Sequence, residues 1–285
     1  MLIQDEIKYR GCNPNPKIII PSKEIVTIGS YIESLHLEEK TLKREKLRNI
    51  LKASKEFLNT YYDLHFVPCE IEYQKFALHF SLSGEINPFK LPIRKLKGED
   101  DFYGCLRETI SVGEEINLSF RSIELSENIT QISSLSYTHE ITHTQLNHMR
   151  GLIREYYNTE FLSVFNELLQ AFYTKDNESL LREHDTRRLN EIPIVINELN
   201  KYHNTSDDGI KNVLLEGSCY LESILKAYNL FIRYYYSNET ERKYIIKSLQ
   251  RVIDGEITLE EILDILDISL ENSQDEKKLT KYLSR

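Results

Sequence analysis

Three residues near the middle of the chain, His139, Glu140 and His143, have the types and spacing for metal-assisted chemistry. They form the string His139-Glu140-Ile141-Thr142-His143 in a stretch that reads as helix. Residues four apart on a helix share a face, so both imidazoles can reach one Zn2+ ion. Glu140 follows the first histidine and lies beside the pair. It can act there as a general base toward a zinc-bound water without holding the metal itself.

The same helix supplies the setting. Ile132, Leu135 and Leu146 define an apolar stripe with His139 and His143 in its centre, Glu140 at its edge and Ile141 facing away. Imidazoles turned toward a core need partners, because buried polar groups without them are costly. A metal would satisfy both. A third protein ligand is expected from the next helix, where Phe161, Val164, Phe165, Leu168, Leu169 and Phe172 build an apolar face. Glu160 and Glu167 lie seven apart along one margin of that face, and either can serve. His148 falls on the opposite side of the motif helix and is rejected as a ligand.

Several elements must position these groups. Residues 1–28 read as irregular or extended, punctuated by Pro14, Pro16 and Pro21 around Lys17–Ile20. Tyr31 to Tyr62 turns helical, with the charged run Glu38–Lys46 as its solvated face. Between Cys69 and Phe120 the period shortens. Phe76, Leu78, Phe80 and Leu82 alternate up to Gly84, and Leu91–Ile93, Phe102–Tyr103 and Ile116–Phe120 are further strand candidates. From Asn128 onward the chain reads as helix, over about 130–150, 159–175, 178–202, 208–236, 241–254 and 258–266. Gly151 and Gly255 are the expected stops of the first and fifth, and Thr258 with Glu261 forms a capping box for the last. The expected class is therefore α+β, mostly α-helical, with a small N-terminal β-sheet. Residues 1–120 are expected to form one domain and residues 121–285 a helical one.

Composition narrows the functions. With 285 residues and 40% apolar content the chain can build a sizeable core. A net charge of −9 argues against nucleic acid as a partner. No apolar run is long enough to span a membrane, and the N-terminus lacks the pattern of a signal peptide. Cys12, Cys69, Cys105 and Cys219 form no C-x-x-C pair, so structural zinc at cysteines is not expected. A cytoplasmic location with reduced thiols is the expectation.

The motif and the segments C-terminal to it resemble the oligoendopeptidase F and thimet oligopeptidase group of zinc metallopeptidases, which are gluzincins. Ile116–Phe120 sits where that family has its substrate-side strand, and Asn128 through Thr138 resembles the lead-in to the motif. Glu167, in Val164-Phe165-Asn166-Glu167-Leu168 and 24 positions past His143, matches the family's third-ligand segment better than Glu160 does. Gly217–Leu221 is similar to the family's tyrosine-bearing helix, and residues 244–268 to its terminal helix pair. Thr142 stands where the family usually has glycine.

The resemblance implies a zincin-like helical domain with the H-E-x-x-H helix at a cleft walled by the small sheet. It implies Zn2+ on His139, His143 and Glu167, Glu140 as general base, and Tyr220 as donor to the oxyanion. His203 and Tyr234–Tyr236 are lesser options for that donor. The implied activity is a zinc metalloendopeptidase hydrolysing peptides or a leader segment. A peptide substrate could pair with an edge strand at Ile116–Phe120. Two other readings stand beside it: a regulatory metalloprotease cutting a single protein partner, and a catalytically idle peptide-binding protein of the same fold. The sequence leaves the oligomeric state open.

Overall fold

The protein is mainly helical. The computed structural model describes residues 23–36, 46–75, 78–91, 93–96, 104–112, 117–126, 130, 132–147, 158–174, 177–202, 204, 207–268 and 273–284. Lys17–Ile20, most of the charged run 38–46, Phe76, Phe102–Tyr103, Ile116, His148, Gly151 and His203 lie outside the described residues. Among the described residues, no helix is long and apolar enough to cross a membrane. The chain divides into two compact units, Leu42–Met149 and Met1–Thr41 with Arg150–Arg285.

In the first of these units, α2 (Leu47–Tyr61) and α3 (Ile132–Asn147) accompany five strands. α1 (Lys23–Ser34) belongs to the other unit. The strands are β1 (Val67–Lys75), β2 (Leu78–Ile86), β3 (Ile93–Leu96), β4 (Gly104–Val112) and β5 (Asn117–Ser126). β2 continues past Gly84, the residue expected to end it, to Ile86 opposite Val67. β4 pairs with β5 from Gly104↔Leu125 to Val112↔Asn117, while β1 meets β5 at Ile71↔Leu118 and β3 runs parallel to its end. The segment expected to offer an edge at Ile116–Phe120 pairs with β4 over its described residues, and Leu118 also meets Ile71 of β1.

α2 and α3 are tied by Ser54 Oγ, which donates to the Ser134 carbonyl at 2.9 Å. Gln145 of α3 clasps the backbone of His65. The His65 N–H donates to Gln145 Oε1 at 2.6 Å, and Gln145 Nε2 donates to the His65 carbonyl at 3.0 Å. Every residue from Ile132 to Leu146 is buried, so Ile141 is in the core rather than turned to solvent. Small hydroxyl residues make that burial tolerable by bonding the helix itself. Thr142 Oγ1 donates to the Thr138 carbonyl and Thr144 Oγ1 to that of Ile141.

The other unit contains α1, α4 (Asn158–Tyr173), α5 (Asn177–Tyr202), α6 (Asp208–Tyr236), α7 (Glu239–Ile253), α8 (Leu259–Ile265) and α9 (Ser273–Leu283). α4 buries Phe161, Leu162, Val164, Phe165, Leu168 and Leu169, and α6 answers with Leu221, Ile224, Leu225, Phe231 and Ile232. Each such large side chain contributes about 1.5–3 kcal/mol relative to exposure. α1 crosses α5 at Gly29, where an added Cβ would sit 2.6 Å from Ile196 Cδ1 and 3.9 Å from the Pro193 Cα. A larger residue there would have to displace the tip of the Ile196 side chain. The helix ends follow the local signals. Asp207 caps α6 through Gly209 and Ile210, Gly255 with φ of 73° follows α7, and Thr258 and Glu261 close a capping box on α8.

Candidate metal site and its buried polar neighbours

α3 presents His139 and His143 one turn apart, 6% and 7% exposed, with Glu140 5% exposed beside them. The two Nε2 atoms lie 2.9 Å apart and the rings meet nearly edge to face. Two nitrogens on one tetrahedral zinc, each about 2.0–2.1 Å from it, are about 3.4 Å apart. A small opening of the pair therefore reaches that geometry. His139, His143 and Glu160 form a group that could hold a metal ion, with one ligand atom from each lying within 4.8 Å of the others. Two imidazoles and one carboxylate are a donor set of the type found where a catalytic metal keeps an open position.

The group contains Glu160, one of the two glutamates expected along this margin, and not Glu167, which the family resemblance favours. The two glutamates share one margin of α4, but seven residues is about 10.5 Å along a helix, so a single site can use only one. Glu167, 2% exposed, is committed elsewhere. Arg188 of α5 grips it with Nη2 on Oε1 at 2.7 Å and Nε on Oε2 at 3.1 Å. His184 Nε2 adds a contact to Oε2 at 2.7 Å. A bidentate guanidinium with an imidazole on the same carboxylate leaves it little freedom to leave for a metal.

Around that pair runs a network that sequence reasoning missed. Arg188 Nη1 donates to the Tyr220 hydroxyl in a short contact. The hydroxyl also hydrogen-bonds Glu191. Burial drives the Tyr220 hydroxyl well above the usual tyrosine range. Arg188 opposes this, while the carboxylates of Glu191, Glu160 and Glu167 add to it. Arg188 is held well above its ordinary range: burial works against the charge, but Glu167 and Tyr220 outweigh it. On the far side, His184 Nδ1 lies 3.2 Å from the Tyr228 hydroxyl, which donates to Asp185 Oδ1 at 2.8 Å. The Tyr282 hydroxyl donates to Asp185 Oδ2 at 3.2 Å. The available signal is the spacing of His184, Arg188 and Glu191, which places three ionisable groups on one face of α5.

Of the lesser options for the oxyanion donor, Tyr234, Tyr235 and Tyr236 are among the described residues. Tyr234 is buried and shares a 2.7 Å hydrogen bond with the Tyr173 hydroxyl. Tyr235 packs against Phe172, Phe231 and Tyr282, and Tyr236 is exposed beneath Lys281. No protein-family description, curated protein or solved structure matches this chain.

Proposed function

We propose that the protein is a zinc-dependent peptidase, a reading carried by one observation: His139, His143 and Glu160 form a group that could hold a metal ion, with Glu140 buried next to the histidines. The resemblance to the oligoendopeptidase F and thimet oligopeptidase group supports the same chemistry. It rests on the H-E-x-x-H string together with the glutamate-bearing helix after it. Under this reading the substrate is a peptide.

His139, His143 and Glu160 would hold the ion, which supplies Lewis acidity at the scissile carbonyl. Glu140 removes a proton from the attacking water and returns it to the leaving amine. Tyr220 is the donor for the developing oxyanion: its hydroxyl accepts from Arg188 and turns its single proton from Glu191 to the oxyanion as charge develops. Glu167 fixes Arg188 and so acts as a positioning residue.

The test is metal analysis of purified protein combined with digestion of a broad peptide library. One zinc per chain and cleavage lost on chelation support the reading. A metal-free protein with unchanged cleavage, or zinc-loaded protein with no cleavage of any peptide, overturns it.

A further inference from the structure

The chain is acidic overall, yet in the unit Leu42–Met149 four basic residues line one cavity. Its volume is about 340 Å³, and it is lined by Arg48, Leu51, Lys52 and Lys55 of α2, Asn87, Phe89 and Lys90 around the Pro88–Lys90 turn, and Tyr137 of α3. The α2 residues follow the i, i+3, i+4, i+7 pattern of one helix face, and Ile50, Ser54, Phe57 and Leu58 are buried on the other. Lys52 has a carboxylate neighbour in Glu56 at 3.6 Å. Among the described residues, Arg48, Lys55 and Lys90 have none. The second observation concerns Tyr137. Its side chain is fully buried, and among the described residues its hydroxyl has no hydrogen-bond partner. A buried hydroxyl in that state calls for an acceptor.

We propose that this cavity binds a small phosphate monoester. Its oxygens lie on Arg48, Lys52, Lys55 and Lys90, its organic body rests against Leu51 and Phe89, and one oxygen accepts from the Tyr137 hydroxyl. A phosphate monoester carries about −1.5 to −2 charge near neutral pH and several strong acceptors, which matches a site of several cations better than a carboxylate does. Arginine recognises such oxygens in pairs, while lysines act as point charges. The volume falls in the ~300–1,000 Å³ range of small-molecule pockets and exceeds what a bare phosphate fills. The site is separate from the histidine pair. Tyr137 precedes His139 by two residues, about 200° around the helix, and neither histidine lines the cavity.

The experiment is calorimetric titration of the full chain with phenyl phosphate, inorganic phosphate, benzoate and a phosphoserine peptide. Saturable binding of phenyl phosphate, tighter than inorganic phosphate or benzoate, is expected. Arg48→Gln and Lys55→Gln, both at exposed positions, should each weaken it about tenfold. Tyr137→Phe, which keeps the ring and removes only the hydroxyl, should weaken it several-fold. The absence of saturable binding, equal affinity for benzoate, or an Arg48→Gln/Lys55→Gln double variant that binds as the wild type does would overturn the proposal. Tighter binding of the phosphoserine peptide than of phenyl phosphate would overturn its small-molecule part.

Discussion

Arg188 and Glu167 are joined by two nearly parallel hydrogen bonds, at 2.7 and 3.1 Å, and Glu167 is almost wholly buried. Under the proposed reading the pair gives the two candidate ligands on α4 different roles. Glu160→Ala should strip the metal while leaving the fold intact, whereas Glu167→Ala should keep it and lose stability. Removing one partner of a buried pair costs about 3 kcal/mol or more, because the other charge stays buried. Metal content and thermal melting of both variants separate the roles. Metal lost from Glu167→Ala and kept in Glu160→Ala would reverse the assignment.

Gln145 holds the backbone of His65 at both its N–H and its carbonyl. Gln145→Leu keeps comparable volume but leaves two backbone groups without that partner. Each hydrogen bond lost is worth about 0.5–1.5 kcal/mol net. The midpoint of urea unfolding should fall accordingly, and a midpoint equal to that of the wild type would show that the clasp contributes nothing.

Much of the helical part is legible in the sequence because the helix ends carry their own chemistry. Thr258 with Glu261, and Gly255 at positive φ, sit where the residue types require them. The choice between Glu160 and Glu167 is not legible, since seven residues bring a helix back to nearly the same angle and only axial distance separates them. Angle can be read from spacing; the partner that captures one of the two cannot. Arg188 illustrates the same limit, as its guanidinium finds Glu167 21 residues away and Tyr220 32 residues away. The pattern on α3 misleads in another way. A one-sided helix would turn Ile141 away from the core, whereas Ile132–Leu146 is buried throughout.

Glu191 supplies a pH dependence. Its carboxyl is held above the usual range, first by burial, with Arg188 pulling it back and Glu167 adding to the rise. A carboxyl raised in the folded state favours folding while it is protonated, and that advantage is lost as pH rises through the folded pKa. Glu191→Gln should therefore melt higher than the wild type at pH 8 and show little difference at pH 4. A Glu191→Gln variant less stable than the wild type at pH 8 would mean that the contacts to Arg188 and Tyr220 outweigh the burial cost.

Tyr220→Phe should leave metal content unchanged and lower kcat with little change in KM, because a donor to the oxyanion acts mainly in the transition state. Loss of one such donor costs typically ~10²–10³-fold in kcat. A variant with raised KM and unaltered kcat would assign Tyr220 to substrate binding instead.

Glu140 is where the account is most exposed. The decisive measurement is peptide turnover by the zinc-loaded Glu140→Gln variant beside the wild type, with zinc per chain measured on the same samples. Glutamine fills the same volume but cannot accept the proton. The account predicts equal zinc in the two proteins and turnover lowered ~10²–10⁴-fold in the variant. Equal turnover by the two proteins, at equal zinc and free of contaminating protease, would contradict it.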